Sequence, residues 1–183
     1  MTVDELTSGG VPQDTARREL DWNAVYADQL PRLYNYFRFR TGREADVQDL
    51  TAQTFEKAWK GRAQYRSDLG GFSTWLFGIA RNVATDYLRT MRGHLPLDAA
   101  QDVAVESTPE QQLARHSDLA RLARLTEPLP DRQRELLALK YGAGLNNRLI
   151  AQITSLSESN VGTILQRTVE KLRAQWELPE RKR

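Results

Sequence analysis

Two rows of polar side chains stand out against the apolar patterning of this chain. In NRLIAQITSLSESNVGTILQRTVEKLR, Asn147 to Arg173, the outward positions are Ser159, Asn160, Thr163, Gln166 and Arg167, then Glu170 and Lys171. Asparagine and glutamine bond adenine bidentately, arginine bonds guanine, and serine or threonine bonds a phosphate or a base. Such a row breaks no bonds; it suits recognition of DNA. In FSTWLFGIARNVATDYLR, Phe72 to Arg89, the positions Gly78, Arg81, Asn82, Thr85 and Arg89 share one helical face behind an apolar stripe.

Bond-making chemistry finds little support. The chain has no cysteine and only two histidines, His94 and His116, so a disulfide or thiolate metal site is excluded and a histidine cluster is not expected. No glycine-rich phosphate loop of either common pattern occurs. A helical hydrolase would need a nucleophile or metal constellation that these residues do not supply. No enzyme activity, no metal and no cofactor are expected. No long apolar run and no basic-then-apolar leader is present, so a cytoplasmic protein without membrane insertion is expected.

The elements that must hold the two rows are helices. The 183 residues are 40% hydrophobic and 27% charged, as in a soluble globular protein, with a net charge of +2. By segment the charge alternates. Residues 22–91 hold ten basic and seven acidic side chains, 92–118 hold two and five, and 119–177 hold nine and six. Two mildly basic blocks thus flank an acidic one. Residues 1–21 read as a flexible N-terminal arm with a Gly-Gly-Val-Pro break. Residues 22–91 are helical almost throughout, with punctuation at Pro31, Thr41-Gly42 and Ser67–Gly71, which fits three or four helices. Residues 92–112 (RGHLPLDAAQDVAVESTPEQQ) read as a flexible acidic linker, 113–177 as a second helical domain, and 178–183 as a basic tail. The fold class is all-α: two small helical domains on a tether, the C-terminal one containing a helix-turn-helix.

In that motif Leu149, Ile150 and Ile153 mark the first helix and Ala151 allows close approach. Ser157 can cap the second helix, whose inner stripe is Val161, Ile164, Leu165, Val169 and Leu172. An ordinary helical hairpin with a polar face has the same offsets, and Ser155 stands at a turn position where glycine is common. In the first domain, Phe72, Leu76, Ile79, Val83 and Tyr87 form the stripe of one amphipathic helix. Phe72 and Trp75 read as core.

Three stretches in this order resemble the extracytoplasmic-function (ECF, group IV) sigma factors of the sigma-70 family. DVQDLTAQTFEKAW (Asp46–Trp59) is similar to the helix that docks on core RNA polymerase. FSTWLFGIARNVATDYLR is similar to the part that meets the −10 element, and Leu129–Arg173 to the domain that reads the −35 element. The resemblance covers nearly everything from about Trp22 to Glu177.

It implies a promoter-specificity subunit with 22–91 as region 2 and 113–177 as region 4. Its partners would be the polymerase core, at the clamp coiled coil and flap, promoter DNA, and an anti-sigma factor. Asp46, Asp49, Leu50, Gln53 and Glu56 would bind the core. On that helix Val47, Leu50, Thr54 and Ala58 point inward, and its carboxylates suit the arginines of a basic partner. Tyr65, Arg66, Ser67 and Asp68 of the preceding loop, with Arg81, Asn82, Thr85 and Arg89, would take the melted −10 strand, Asn82 as the base contact. Ser159, Asn160, Thr163, Gln166, Arg167 and Lys171 would read the −35 element. Ala52 stands where the family often has glutamine, Leu149 where it has glutamate, and Gly162 and Ile164 where many relatives are basic. A stand-alone helix-turn-helix regulator of duplex operators would carry much the same last helix, but it would leave Asp46–Trp59 and Phe72–Arg89 without a role.

Overall fold

The computed structural model describes residues 21–92 and 118–177, apart from Leu69, Leu119 and the side chain of Arg92. The arm 1–20, the linker from residue 93 and the tail 178–183 lie outside the described residues. Among the described residues every regular element is helical and no strand occurs.

Helix α1 spans Trp22–Thr41. Asp21 caps it, its carboxylate accepting from the amides of Asn23 and Ala24 at 3.0 and 3.2 Å. Gly42 ends it in the left-handed region, φ 67°, its N–H donating to the Arg38 carbonyl. Pro31, expected to punctuate, lies inside α1 on the exposed side. A proline inside a helix costs about 3 kcal/mol. The turns after it bury Leu33, Tyr36 and Phe37 completely, at about 1.5–3 kcal/mol each for Leu- or Phe-sized side chains, which outweighs the break.

Helix α2, Glu44–Gly61, opens with Glu44 and Asp46 in its first turn, where carboxylates suit the helix dipole. Its inward stripe is as the spacing predicts: Val47, Leu50, Thr54 and Ala58 are buried, joined by Thr51. The two threonine hydroxyls donate back to the carbonyls of Val47 and Leu50, so neither is left unsatisfied. A 3-10 turn, Arg62–Gln64, leads into the loop before α3, Phe72–Arg92.

In the second unit residues 120–126 are helical (α4). Helix α5, Asp131–Leu137, runs into a π turn, Ala138–Gly142. Helix α6, Asn147–Thr154, is capped by the Asn146 side chain accepting from Leu149 N at 2.9 Å. Helix α7, Glu158–Glu177, has its cap at Ser157, whose Oγ accepts from Asn160 N at 3.2 Å. Between α6 and α7 Ser155 adopts φ 56° and ψ 34°, the one described non-glycine residue with positive φ. The turn keeps the left-handed geometry even though its residue carries a Cβ.

The two units do not stand apart. α1 packs on α5 and the π turn, and α3 packs on α6, so one continuous apolar core runs through both. Polar ties cross the same seam: Arg32 Nε donates to the Ala143 carbonyl at 2.9 Å, Arg40 pairs with Asp131 at 2.9 Å, and Arg81 pairs with Glu135 at 2.6 Å.

The strained turn yields a first prediction. Ser155→Gly relieves the left-handed penalty and should stabilise the fold by about 0.5–1 kcal/mol, roughly 2–4 °C in Tm, after the extra chain entropy of glycine is offset. Thermal unfolding followed by circular dichroism checks it; an unchanged or lower Tm would show that the turn stores no strain.

Candidate polymerase and nucleic-acid interfaces

Helix α3 sets the direction of the first polar row. Leu76, Phe77, Ala80, Val83 and Ala84 are buried, because α1, α2 and α6 all pack on this helix. Two side chains on one edge of the remaining strip carry opposite fates. Asn82 is exposed and makes no side-chain hydrogen bond among the described residues. Arg81 is partly covered and bonded to Glu135 and to the Ile153 carbonyl. Thr85 and Arg89 are exposed; the Thr85 hydroxyl donates to the Arg81 carbonyl at 2.8 Å, and Arg89 lies 3.4 Å from Asp86. The row predicted from sequence is therefore divided: Asn82, Thr85 and Arg89 face outward, and Arg81 is held by the second unit.

The loop before α3 is anchored by rings and open in its charges. Tyr65 packs on Phe72 and Trp75 at centroid distances of 5.5 and 5.2 Å, and its hydroxyl donates to the Gly70 carbonyl. Phe72 and Trp75 are half-buried, as packing members of this aromatic group. Arg66 and Asp68 form a bidentate pair at 3.0 and 2.7 Å, each favouring the charged form of the other. Both are well exposed, so the pair is solvated and contributes little to stability. Ser67 is exposed beside them.

On α2, Asp49, Gln53 and Glu56 form an exposed row, with Glu56 held below the usual carboxylate range by Lys60 one turn on. Ala52 is exposed among them. The other two residues of the expected core-binding set are placed differently. Leu50 is only 6% exposed, because it belongs to the inward stripe. Asp46 is turned toward α3, where it accepts from the Tyr87 hydroxyl and pairs with Arg43 at 3.3 Å.

On α7, Ser159, Asn160, Thr163, Gln166, Arg167 and Lys171 are all exposed on the outward face. Thr163 donates to the Ser159 carbonyl and Gln166 to Glu170, both at 3.0 Å. Arg167 and Lys171 make no ion pair among the described residues, so their charge faces outward undiminished. Ile164 is partly buried against the core, and a Cβ at Gly162 would meet Asn147 Nδ2 at 3.5 Å, an ordinary contact.

Sequence reasoning missed two features. The Arg81–Glu135 tie joins residues 54 apart, and no local pattern announces it. The second is an aromatic edge: Trp59, 50% exposed, carries the Arg62 guanidinium 4.1 Å from its ring centroid and meets Trp22 at 5.1 Å. The i, i+3 spacing of Trp59 and Arg62 was a readable signal. Among the described residues there is no group able to hold a metal ion, and no helix is long and apolar enough to cross a membrane.

A helical pair of units, one ending in a helix-turn-helix with an exposed polar face, defines a DNA-recognition architecture. The Sigma-70 region 2 model matches residues 25–94, and the Sigma-70, region 4 model matches residues 119–172. The chain is 30% identical over 141 residues to the RNA polymerase sigma factor CnrH of Cupriavidus metallidurans, covering 72% of this chain and 73% of that one. It is 26% identical over 151 residues to the ECF RNA polymerase sigma factor BldN of Streptomyces coelicolor, covering 81% of this chain but only 57% of the length of BldN. In fold it is similar to the sigma factor RpoE of Bartonella quintana, solved in complex with the anti-sigma factor NepR: TM-score 0.69, 18% identity, 87% of this chain and 99% of that one. The chain belongs to the sigma-70 family, among the ECF sigma factors.

The α2–α3 contact gives a pH prediction. Burial, then the hydrogen bond to Asp46 and its charge, push the Tyr87 phenol up to about 12. A raised folded pKa means that this contribution is complete below the ordinary value near 10 and is lost as pH rises from there toward 12. Tyr87→Phe should remove that component, so the variant loses stability less steeply than the parent over this interval. Denaturant melts at pH 9 to 12 check the difference in slope; parallel curves would contradict it.

Proposed function

We propose that this chain is a dissociable promoter-specificity subunit of bacterial RNA polymerase, of the group IV type, acting in the cytoplasm. Residues 22–91 serve as region 2 and 113–177 as region 4, joined by the linker 92–112. The subunit does no bond chemistry; nucleotide addition belongs to the polymerase. Asp49, Gln53 and Glu56 meet basic side chains of the clamp coiled coil, while Leu50 and Asp46 seat α2 for that contact. The region 4 unit sits on the flap and presents α7 to the −35 element. Arg167 and Lys171 supply phosphate contacts, and Ser159, Asn160, Thr163 and Gln166 reach base edges or the backbone.

Once the duplex opens, Asn82 bonds an unpaired −10 base, with Arg81, Thr85 and Arg89 along the backbone. Tyr65, Arg66, Ser67 and Asp68 hold the displaced nucleotide. The acidic linker threads toward the active-site and RNA-exit channel, and an anti-sigma protein masks the free subunit.

The observation that carries this reading is Asn82, an unpartnered amide held outward between buried Val83 and tethered Arg81. The helix that carries it is fixed by packing, so only the amide's own rotamers remain to be ordered on binding a base.

Reconstitution with core polymerase, selection of transcribed genomic promoters and mapping of start sites tests the proposal. Asn82→Ala should lower open-complex formation on the order of tenfold, the scale of one lost base contact, with core binding intact. Asp49→Ala combined with Gln53→Ala should weaken core binding while leaving the helical content unchanged. Tight, specific duplex binding without polymerase in a gel shift would favour a stand-alone regulator instead.

A further inference from the structure

The helix proposed to read DNA has no positive charge at its leading end. Glu158 to Gln166, the first turns of α7, hold one carboxylate and no base, and the first cation is Arg167. A helix-turn-helix sets these turns against base edges, between the phosphate rows that border the major groove. Any electrostatic grip on the backbone at this end has to come from a neighbouring element.

The π turn and the start of α6 carry the charges that could give it. No acidic residue occurs from 136 to 157, and two cations, Lys140 and Arg148, fall within that stretch. Lys140 stands on the π turn, and its Nζ donates to Asn147 Oδ1 at 3.0 Å. Asn147 lies against α7, since a Cβ at Gly162 would meet its Nδ2 at 3.5 Å. The amide thus holds the ammonium beside the second turn of α7. It is a neutral partner, so the charge of Lys140 is not cancelled.

Arg148, the next residue, is exposed and makes no hydrogen bond or ion pair among the described residues. It stands in the first turn of α6, where a cation opposes the helix dipole at a cost of about 0.3–1 kcal/mol. No contact among the described residues offsets that cost. The spacing to the other cations fits a groove. From Gly162 to Arg167 and Lys171 is about 7.5 and 13.5 Å along α7, at about 1.5 Å per residue. The major groove is about 12 Å wide, so one set of cations can serve each bordering strand.

We infer that Arg148 and Lys140 form a phosphate-binding site that clamps the promoter backbone at the −35 element, on the strand across the groove from Arg167 and Lys171. The inference rests on the −35 role proposed for α7 and adds the residues outside α7 that hold it in register. Arg148 offers a guanidinium fork and Lys140 a positioned point charge. Such contacts place the helix without reading sequence, which leaves base choice to the outward row of α7.

The test uses the full chain bound to core polymerase, on a promoter obtained by the reconstitution above. Closed-complex affinity is followed in salt from about 50 to 200 mM, below the temperature of strand opening. Each phosphate neutralised contributes about 0.9 to the slope of log affinity against log salt. Arg148→Ala should lower the steepness by about 0.9 and the low-salt affinity about three- to tenfold. Adding Lys140→Met, which keeps an apolar stem, should remove about as much again. Arg148→Lys should hold the parent slope. Losses should be uniform across −35 sequence variants, with helical content unchanged.

Parent-like slope and affinity in Arg148→Ala would overturn the site. So would a loss restricted to particular −35 sequences, which would mark a base contact. Core binding and transcription by the parent are measured alongside. A parent that initiates normally confines such a failure to this site, whereas one that never binds core overturns the initiation reading and the site with it.

Discussion

The burial of α3 constrains everything else in the molecule. Leu76, Phe77, Ala80, Val83 and Ala84 are interior positions on a helix that would ordinarily have one covered stripe. Three neighbours, α1, α2 and α6, supply the cover. The consequence is a narrow remaining strip whose direction is set by packing on either side. Rotating α3 to re-aim Asn82 would expose Val83 or drive the amide into the core, at a cost of about 1.5–3 kcal/mol per large apolar side chain. The direction of the Asn82 edge is thus set by the hydrophobic effect, not by hydrogen bonds of its own.

Net charge works against the seam that helps to cover α3. Residues 22–91 and 119–177 each carry an excess of three basic side chains, so as whole units they repel. Placement reverses that sum locally. The second unit offers Asp131 and Glu135 on one face of α5, and the first offers Arg40 and Arg81 opposite them. Short-range pairing at a partly buried boundary outweighs screened repulsion between distant surface charges. High salt should matter less to these ties than to the exposed Arg66–Asp68 pair, because one partner of each, Arg40 and Glu135, is buried.

What the sequence revealed follows the range of the interaction. The helix-turn-helix was legible because its signals are local: Ser157 caps α7, the stripe Val161 to Leu172 packs inward, and the outward row is exposed. The α2 stripe was legible for the same reason. Pro31 misled because the penalty of a proline is local while the burial of Leu33, Tyr36 and Phe37 that overrides it is tertiary. Phe77 and Ala84 fell off the single predicted stripe of α3 because a second surface is covered, partly from another unit. The same cause hid the fate of Arg81. Its partner lies 54 residues away across a linker that carries no pairing signal.

The loop between α2 and α3 separates two functions that a flexible segment usually mixes. Its position is set by rings, since Tyr65 meets Phe72 and Trp75, and Phe72 in turn meets Trp22 of α1. Edge-on and tilted ring contacts of this kind contribute about 0.5–1.5 kcal/mol each beyond burial and are insensitive to salt. Its charges, by contrast, are paired only with each other at the surface, where exchange for another partner costs little. A backbone held by apolar contacts can therefore offer exchangeable charges in a fixed place. The nucleotide capture proposed for this loop would gain from that combination, because little ordering would remain to oppose binding.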